Sequence, residues 1–260
     1  RQSHSHLRNE VARVNFGLGW KTKGAPEIFQ ESVSRYKILM PVEIDEKSTD
    51  ALKDGRIPSL KALNVHNGTI YNWNRLCYGI TEGKPHLRIE NRYIPSGPTI
   101  VDEVANSAFW IGLMHGMPDM ADSIHEHLRF EDAKSNFMHA AKSGLQCQFR
   151  WIDGQVIPAH TFILEELIPI AQNGLEKAGI DAAEIDKYLG IIRARVETNR
   201  TGSNWILDSY TDLKNQGPEE QALVALTEGI YQRQKMGKPV HEWSSLDKGE
   251  GGGWKSKYAR

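Results

Sequence analysis

The sequence predicts an α+β protein in which a small antiparallel sheet is followed by a mainly helical C-terminal region. Three observations support this class. Residues 69–94 alternate polar and apolar side chains on either side of a Thr81–Pro85 turn, as a β-hairpin does. From Thr99 onward, apolar residues recur at helical spacing. A second, shorter hairpin with an Asp153-Gly154 turn interrupts those helices.

The elements before the helical region follow from local signals. Pro26 suits a first helical position, and apolar residues behind it recur with a helical period. Pro95 and Pro98 end the return strand of the hairpin because proline cannot donate to a strand ladder. In chain order we expect an extended run over 13–20, a helix over 26–40, a polar connection over 41–62 with room for a short helix, and strands over 69–78 and 86–94.

The helical region has its own start and stop signals. Pro98 or Thr99 caps its first helix, and Asp102 and Glu103 in the first turn favour the helix dipole. Pro169 should kink or split the longest helix. In chain order we expect a helix from residue 99, a helix over 130–143, a hairpin over 145–157, helices over 159–178, 181–198 and 218–236, and an irregular tail from residue 238.

Two domains are predicted, residues 1–117 around the sheet and residues 118–260 in the helical part. A boundary near residue 157 and one continuous core are the alternatives. The chain starts with Arg-Gln-Ser-His and ends with Lys-Tyr-Ala-Arg after a glycine-rich stretch. These ends favour a piece of a longer polypeptide.

Composition narrows the classes of partner. The 260 residues are 39% hydrophobic and 25% charged, which is typical of soluble globular proteins. The net charge of −1 indicates neither nucleic acid nor an anionic membrane as a partner. Cys77 and Cys147 are far apart and lack metal-ligand spacing, which is typical of thiols in a reducing cytoplasm. A cytoplasmic protein is therefore expected, and its oligomeric state stays open.

The most informative pattern is the charged strand Arg88-Ile-Glu-Asn-Arg92. Side chains alternate between the two faces of a strand, so Arg88, Glu90 and Arg92 share one face, and Arg75 lies on the neighbouring strand. A carboxylate can bind Mg²⁺ and arginine forks can bind phosphate oxygens, so this face suits a phosphorylated, metal-bound ligand. The alternative is a solvated face with ordinary cross-strand ion pairs, and spacing alone favours it because short charged patterns are common.

The stretch from Asn67 to Leu113 resembles the catalytic hairpin and following helix of the glutamine synthetase-like superfamily. Both have a strand carrying Asn-Arg (Asn74-Arg75 here), a turn, an Arg-Ile-Glu-x-Arg strand and an alanine-rich helix. Glutamate–cysteine ligases of the second type and related carboxylate–amine ligases are similar, and residues 130–145 and 200–205 also resemble the ligase branch. The resemblance implies the C-terminal portion of such a ligase, with its sheet forming part of the catalytic fold.

The resemblance also implies a role for each charged residue. Glu90 matches the carboxylate that binds a catalytic Mg²⁺ or Mn²⁺. Arg88 matches the arginine that contacts the transferred phosphate, and Arg75 matches the phosphate-binding arginine of the preceding strand. Arg92 matches the arginine that holds the carboxylate of a glutamate-type substrate. Arg75 and Arg88 are therefore expected to bind ATP and to act in catalysis.

The implied reaction is ATP-dependent amide bond formation from a small carboxylate and an amine. The carboxylate attacks the γ-phosphate to give an acyl phosphate, and the amine then displaces phosphate. Metal ions and fixed guanidiniums stabilise the charge that builds on the phosphoryl oxygens. The superfamily holds its metals with several carboxylates, whereas no equivalent cluster precedes residue 67 here. A non-catalytic relative that binds a ligand or a partner is therefore the second hypothesis.

Histidine and aromatic residues near the charged strand are further candidates. His66 precedes the first strand and His86 shares a face with Arg88, so both are candidates for substrate binding, with a histidine of no particular role as the alternative. Tyr71 and Trp73 either stack on a nucleotide base or belong to the core. His125 and His127 cannot share a helical face, which disfavours a zinc site formed by these two residues. The segment Arg200–Trp205 either closes the active site or starts a helix that is capped by Ser203.

Overall fold

The computed structural model describes residues 12–118 and 123–246. The α+β class is confirmed, because these residues form helices and two small antiparallel sheets. The chain divides into two compact units, Arg1–Ile94 and Pro95–Arg260. The sequence prediction put the division after the helix that starts near residue 100, whereas the contacts put that helix in the second unit. His4, His6 and the glycine run Gly251–Gly253 lie outside the described residues.

The first unit carries three helices and one hairpin, and its helices differ in part from those expected. The first helix ends at Arg35, five residues early, because Tyr36 is already extended. A helix over Lys61–Gly68 takes up the end of the expected connection, so the first strand starts at residue 74 rather than 69. The elements are α1 (Ala25–Arg35), α2 (Ser48–Lys53), α3 (Lys61–Gly68), β1 (Asn74–Thr81) and β2 (Lys84–Asn91).

Buried Arg13 organises the segment that leads into the hairpin. Its Nη2 donates to the carbonyl of Lys37 at 2.8 Å, and its Nη1 donates to Thr69 Oγ1 at 3.0 Å. Thr69 Oγ1 also donates to the carbonyl of His66, at the C-terminal end of α3. These bonds satisfy polar groups where α3 ends, so residues 69–73 turn toward the hairpin instead of continuing it as a strand.

The hairpin itself has the predicted antiparallel form. Asn74 pairs with Asn91 at one end and Thr81 with Lys84 at the other. Glu82 and Gly83 make the two-residue turn, and both have positive φ, as a type I′ turn requires. That turn fixes the register, so residues directly opposite each other share a face.

The second unit contains helices around a short hairpin. The bounds are α4 (Ile100–Gly116), α5 (Ile124–His127), α6 (Phe130–Ser143), β3 (Gln148–Arg150), β4 (Val156–Pro158), α7 (Ala159–Thr161), α8 (Ile168–Lys177), α9 (Ala182–Glu197), α10 (Gly202–Lys214) and α11 (Glu219–Met236). A π-helical segment over Phe162–Leu167 joins α7 to α8. Leu167 and Ile168 both have α-helical φ and ψ, so the chain stays helical into α8 and Pro169, in the first turn of α8, does not split the helix as expected. None of the described helices is long and apolar enough to cross a lipid bilayer.

Helices α4, α8 and α9 enclose one buried core. Its members are apolar and almost fully buried: Ala105, Ile168, Ala171, Leu175, Ile185, Leu189, Ile191 and Ile192. Gly112 and Gly116 of α4 face Gly174 of α8. Because a Cβ at Gly174 would lie only 2.6 Å from the Gly116 nitrogen, the absence of side chains here is what lets the two helix backbones approach.

Asp102, in the first turn of α4, is a fully buried charge, which its position in the sequence did not indicate. Its carboxylate accepts from Thr99 Oγ1 at 2.9 Å and from the Val240 nitrogen at 3.1 Å, and it lies 3.0 Å from Arg195 Nη2. Arg195 Nη1 donates to Asn106 Oδ1 at 2.6 Å. Burial lowers the pKa of the Arg195 guanidinium, and the Asp102 charge acts in the opposite direction. The pair joins α4, α9 and the segment after α11.

A second core surrounds Trp205, the first large side chain of α10. Trp205 is fully buried, packs edge-on against Trp243 at 5.0 Å between ring centroids, and donates from Nε1 to the carbonyl of Ser244 at 2.8 Å. The segment Arg200–Trp205 is thus a helix start, as one interpretation held. The cap is Thr201 rather than Ser203, because Thr201 Oγ1 accepts from the Asn204 nitrogen at 3.2 Å.

Candidate functional site

The register of the hairpin brings the predicted charged residues to one face. Arg75 of β1 lies directly opposite Glu90 of β2, and Cys77 lies opposite Arg88. Arg92 continues the pairing beyond the strand end, since its nitrogen donates to the Trp73 carbonyl at 3.0 Å. Alternation along β2 therefore places Arg88, Glu90 and Arg92 on the face that carries Arg75.

Glu90 is the centre of a cluster that we call the Arg75–Glu90–Arg92 cluster. Its Oε2 accepts from Arg75 Nε at 2.7 Å and lies 2.5 Å from Arg75 Nη2, so the arginine fork grips this one oxygen. Arg92 Nη1 lies 3.7 Å from the same atom. The Arg75 side chain is 18% exposed and that of Glu90 is 40% exposed. An ion pair with this partial exposure stabilises the fold only modestly, by about 1 kcal/mol or less.

Arg75 is held in place from a second direction. Its Nη1 donates to the Asn67 carbonyl at 3.3 Å, and the Asn67 side chain donates from Nδ2 to the Leu76 carbonyl at 2.8 Å. Asn67 thus ties the end of α3 to β1 and fixes the Arg75 guanidinium. The local sequence pattern does not indicate this role of Asn67, because its partners become neighbours only when α3 folds back onto the hairpin.

Arg92 lies over an aromatic ring. Its guanidinium carbon is 4.8 Å from the centroid of Tyr71, a cation–π contact. The Nη1 atom of Arg92 is buried and has no hydrogen-bond acceptor in the described part of the chain, since 3.7 Å to Glu90 is too long for a hydrogen bond. A buried arginine nitrogen without an acceptor is unusual, and an anionic ligand or a water molecule would satisfy it.

Arg88 and His86 lie toward the turn end of the same face. A Cβ added to Gly79 would lie 2.7 Å from Arg88 Nη1 and 2.9 Å from the His86 ring, so both side chains cover Gly79. His86 Nε2 is also 3.0 Å from Thr81 Oγ1. His86 and Glu90 are four residues apart on one strand, which separates them by about 13 Å. Arg88 is exposed and makes no ion pair within the described ranges.

His66 is a structural residue in this arrangement. It lies on α3, is 8% exposed, and its Nε2 is 2.9 Å from the carbonyl of Tyr36. Its Nδ1 is buried without a partner in the described residues. The sequence placed His66 in a loop before the strand, whereas it lies on α3 and contacts the Tyr36 carbonyl.

The cluster offers few metal ligands. Within residues 12–118 and 123–246, no group of three or more His, Cys, Asp or Glu side chains is arranged to hold a metal ion. The contacts of Glu90 all go to Oε2, so Oε1 has no partner among these residues. One carboxylate oxygen and two or three guanidiniums can bind an anion, or an anion together with the cation that accompanies it.

No known protein family, curated protein or solved structure matches this chain. The geometry and the chemistry of the residues therefore have to carry any functional conclusion.

Proposed function

We propose that this chain is part of an ATP-dependent carboxylate–amine ligase similar to the glutamate–cysteine ligases of the second type. The observation that carries the proposal is that Arg75 and Arg92 meet at the Glu90 carboxylate on one half-buried face. A transferred phosphoryl group needs fixed positive charge around its oxygens. The side chains of Arg75 and Arg92 are only 18% and 27% exposed, which is less than in an ordinary solvated ion pair.

Each arginine has a distinct task in this mechanism. Arg75 is fixed by Glu90 and by the Asn67 carbonyl, so it does not need to reorganise when charge develops on the phosphate. Arg88 is exposed and binds the phosphoryl group that moves from ATP to the substrate carboxylate. Arg92 binds the carboxylate of the glutamate-type substrate through its buried Nη1. The amine then displaces phosphate from the acyl phosphate and the amide bond forms.

Mg²⁺ or Mn²⁺ fits these residues only together with nucleotide phosphates. Glu90 Oε1 would be the protein ligand, and nucleotide phosphate oxygens and water would supply the other ligands, as is usual for Mg²⁺ at nucleotide sites. When bound, the ion neutralises charge on the transferred phosphate. Arg75 keeps Oε2 occupied, so it orients Glu90 with its other oxygen available.

A non-catalytic relative is the second candidate. It is favoured by the absence of a metal-ligand cluster in the described ranges, where the hydrogen-bond and ion-pair partners of Glu90 are two arginines and a thiol. Such a protein would bind the nucleotide or the carboxylate without turnover. Nucleotide binding with no release of ADP, whatever amino acids are added, would select this candidate.

The test is ADP release by the full-length polypeptide that contains this chain, assayed with Mg²⁺ and a panel of amino acids. The ligase releases ADP only when a carboxylate and an amine are both present. Glu90→Gln should abolish turnover. Glu82→Gln removes the same charge from the exposed turn of the same hairpin, so it is the matched control and should leave turnover unchanged.

Arg92→Lys distinguishes the binding of the carboxylate substrate from the binding of ATP. Lysine keeps the charge but loses the planar fork, so KM for the carboxylate substrate should rise more than KM for ATP. Equal effects on both KM values would contradict the assigned role of Arg92. Unchanged turnover in Glu90→Gln would remove Glu90 from the mechanism.

A further inference from the structure

A polar cleft lies within the Pro95–Arg260 unit, between α6 and β3, and we call it the α6–β3 cleft. Its volume is about 630 Å³, which is in the range of small-molecule sites. The proposed ligase chemistry uses none of its residues. The polar side chains that matter are Arg129, Asp132, Ser135, Asn136, His139 and Arg150.

Asp132 forms ion pairs with two arginines in this cleft. Its Oδ2 lies 3.5 Å from Arg129 Nε, and its Oδ1 lies 3.6 Å from Arg150 Nε. Asp132 is only 17% exposed, whereas both guanidiniums are exposed. Both contacts use Nε, so within the described ranges the terminal nitrogens of the two arginines have no protein acceptor. Two cations beside one anion leave a net positive charge at the mouth of the cleft.

Asn136 fixes the position of Arg150. Its Nδ2 donates to the Arg150 carbonyl at 2.7 Å, and its Oδ1 accepts from the Arg150 nitrogen at 2.9 Å. Asn136 is 9% exposed, so this amide pair is a buried link between α6 and the short strand β3. Because the backbone of Arg150 is held before any ligand arrives, less conformational freedom is lost on binding.

One face of α6 is polar along its whole length. Asp132, Asn136, His139 and Ser143 recur at helical spacing and all line the cleft. His139 Nδ1 lies 3.5 Å from Ser135 Oγ. Beyond the arginines, the cleft thus presents hydroxyl and imidazole groups, which can donate to and accept from the hydroxyls of a ligand.

We propose that the α6–β3 cleft binds a phosphate monoester of a hydroxyl-bearing small molecule, such as a sugar phosphate. The phosphoryl group accepts from the terminal nitrogens of Arg129 and Arg150. A phosphate monoester has three terminal oxygens and can serve two arginine forks, whereas a carboxylate has two and satisfies one. The hydroxyls of the ligand lie along α6 and bind Ser135 and His139.

The experiment is calorimetric titration of the 260-residue chain with glucose 6-phosphate, inorganic phosphate, glucose and acetate. We expect saturable binding of glucose 6-phosphate, weaker binding of inorganic phosphate, and none of glucose or acetate. Equal affinity for inorganic phosphate and glucose 6-phosphate would overturn the role of the hydroxyls. Equal affinity for acetate, or no saturable binding of glucose 6-phosphate, would overturn the phosphate assignment.

Variants locate the binding. Arg129→Gln and Arg150→Gln should each weaken glucose 6-phosphate binding by about 10- to 100-fold, since each removes a charge-assisted contact. Arg193→Gln removes the same charge from an exposed position on α9 and should leave the affinity unchanged. Amide resonances of residues 132–150 should shift on titration. Shifts confined to other residues, or an equal loss of affinity in Arg193→Gln, would refute the site.

Discussion

Gly174→Ala tests whether the close approach of α4 and α8 is essential to the second unit. A Cβ at Gly174 would lie 2.6 Å from the Gly116 nitrogen and closer still to the Gly112 carbonyl oxygen. Both are backbone atoms, so no side-chain rotation can relieve the overlap and the helices must move apart. The surrounding core of Ala105, Ala171 and Leu175 would lose contact as they do.

The magnitude follows from two opposing terms. Overpacking a core costs typically 1–3 kcal/mol, and the upper value of about 3 kcal/mol applies because the clash is with backbone. Replacing a helical glycine by alanine returns up to about 1 kcal/mol. The net loss is about 2 kcal/mol in the free energy of unfolding. For a unit of this size, that lowers Tm by about 4–8 °C.

Gly190→Ala is the matched control. Gly190 lies in α9, and a Cβ there would meet nothing within 4 Å. Only the helix-propensity term remains, so this variant should gain about 0.5–1 kcal/mol. Urea unfolding followed by circular dichroism at 222 nm measures both variants, with the midpoint changing and the slope preserved. If Gly174→Ala is as stable as Gly190→Ala, the argument from close backbone contact is wrong.

Three further predictions concern single residues of the second unit. Asp102→Asn leaves the buried Arg195 without its counter-charge and should lower the free energy of unfolding by about 3–5 kcal/mol in chemical denaturation; a loss under about 1 kcal/mol would mean that water already compensates the guanidinium. Thr201→Ala should cost about 1 kcal/mol because it removes a helix cap, while Ser203→Ala should be nearly neutral, and the reverse order would assign the cap to Ser203. Burial raises the pKa of the Cys147 thiol, so its thiolate is scarcer at pH 8 than in an ordinary cysteine. Its alkylation in the folded chain, measured by mass spectrometry of its peptide, should therefore keep accelerating above pH 9, and a plateau at or below that pH would contradict the shift.

Short-range patterns predicted several elements correctly, and the failures have a common cause. The antiparallel hairpin and the shared face of Arg88, Glu90 and Arg92 follow from residues that are close in sequence. Helix α3 was missed because its end is stabilised through Thr69 by Arg13, which is 56 residues away. The burial of Asp102 was not predicted because its partners Arg195 and Val240 lie 93 or more residues away.

The candidate site divides in the same way. Alternation along β2 was enough to put Arg88, Glu90 and Arg92 on one face, with Arg75 on the neighbouring strand. It could not show that Arg75 and Arg92 meet at Glu90 while Arg88 covers Gly79. The side chain of an arginine has many rotamers, and the surrounding contacts select among them.

The amino-acid sequence by itself determined the class of the fold, the antiparallel hairpin, and the shared face of Arg88, Glu90 and Arg92. These features depend on backbone periodicity and turn chemistry, which act over a few residues. Only the tertiary structure decided that His66 contacts the Tyr36 carbonyl and that Asp102 is buried. It also decided that Asp132 forms ion pairs with two arginines beside a cleft. Such contacts join distant segments, and their geometry exists only after the segments have packed together.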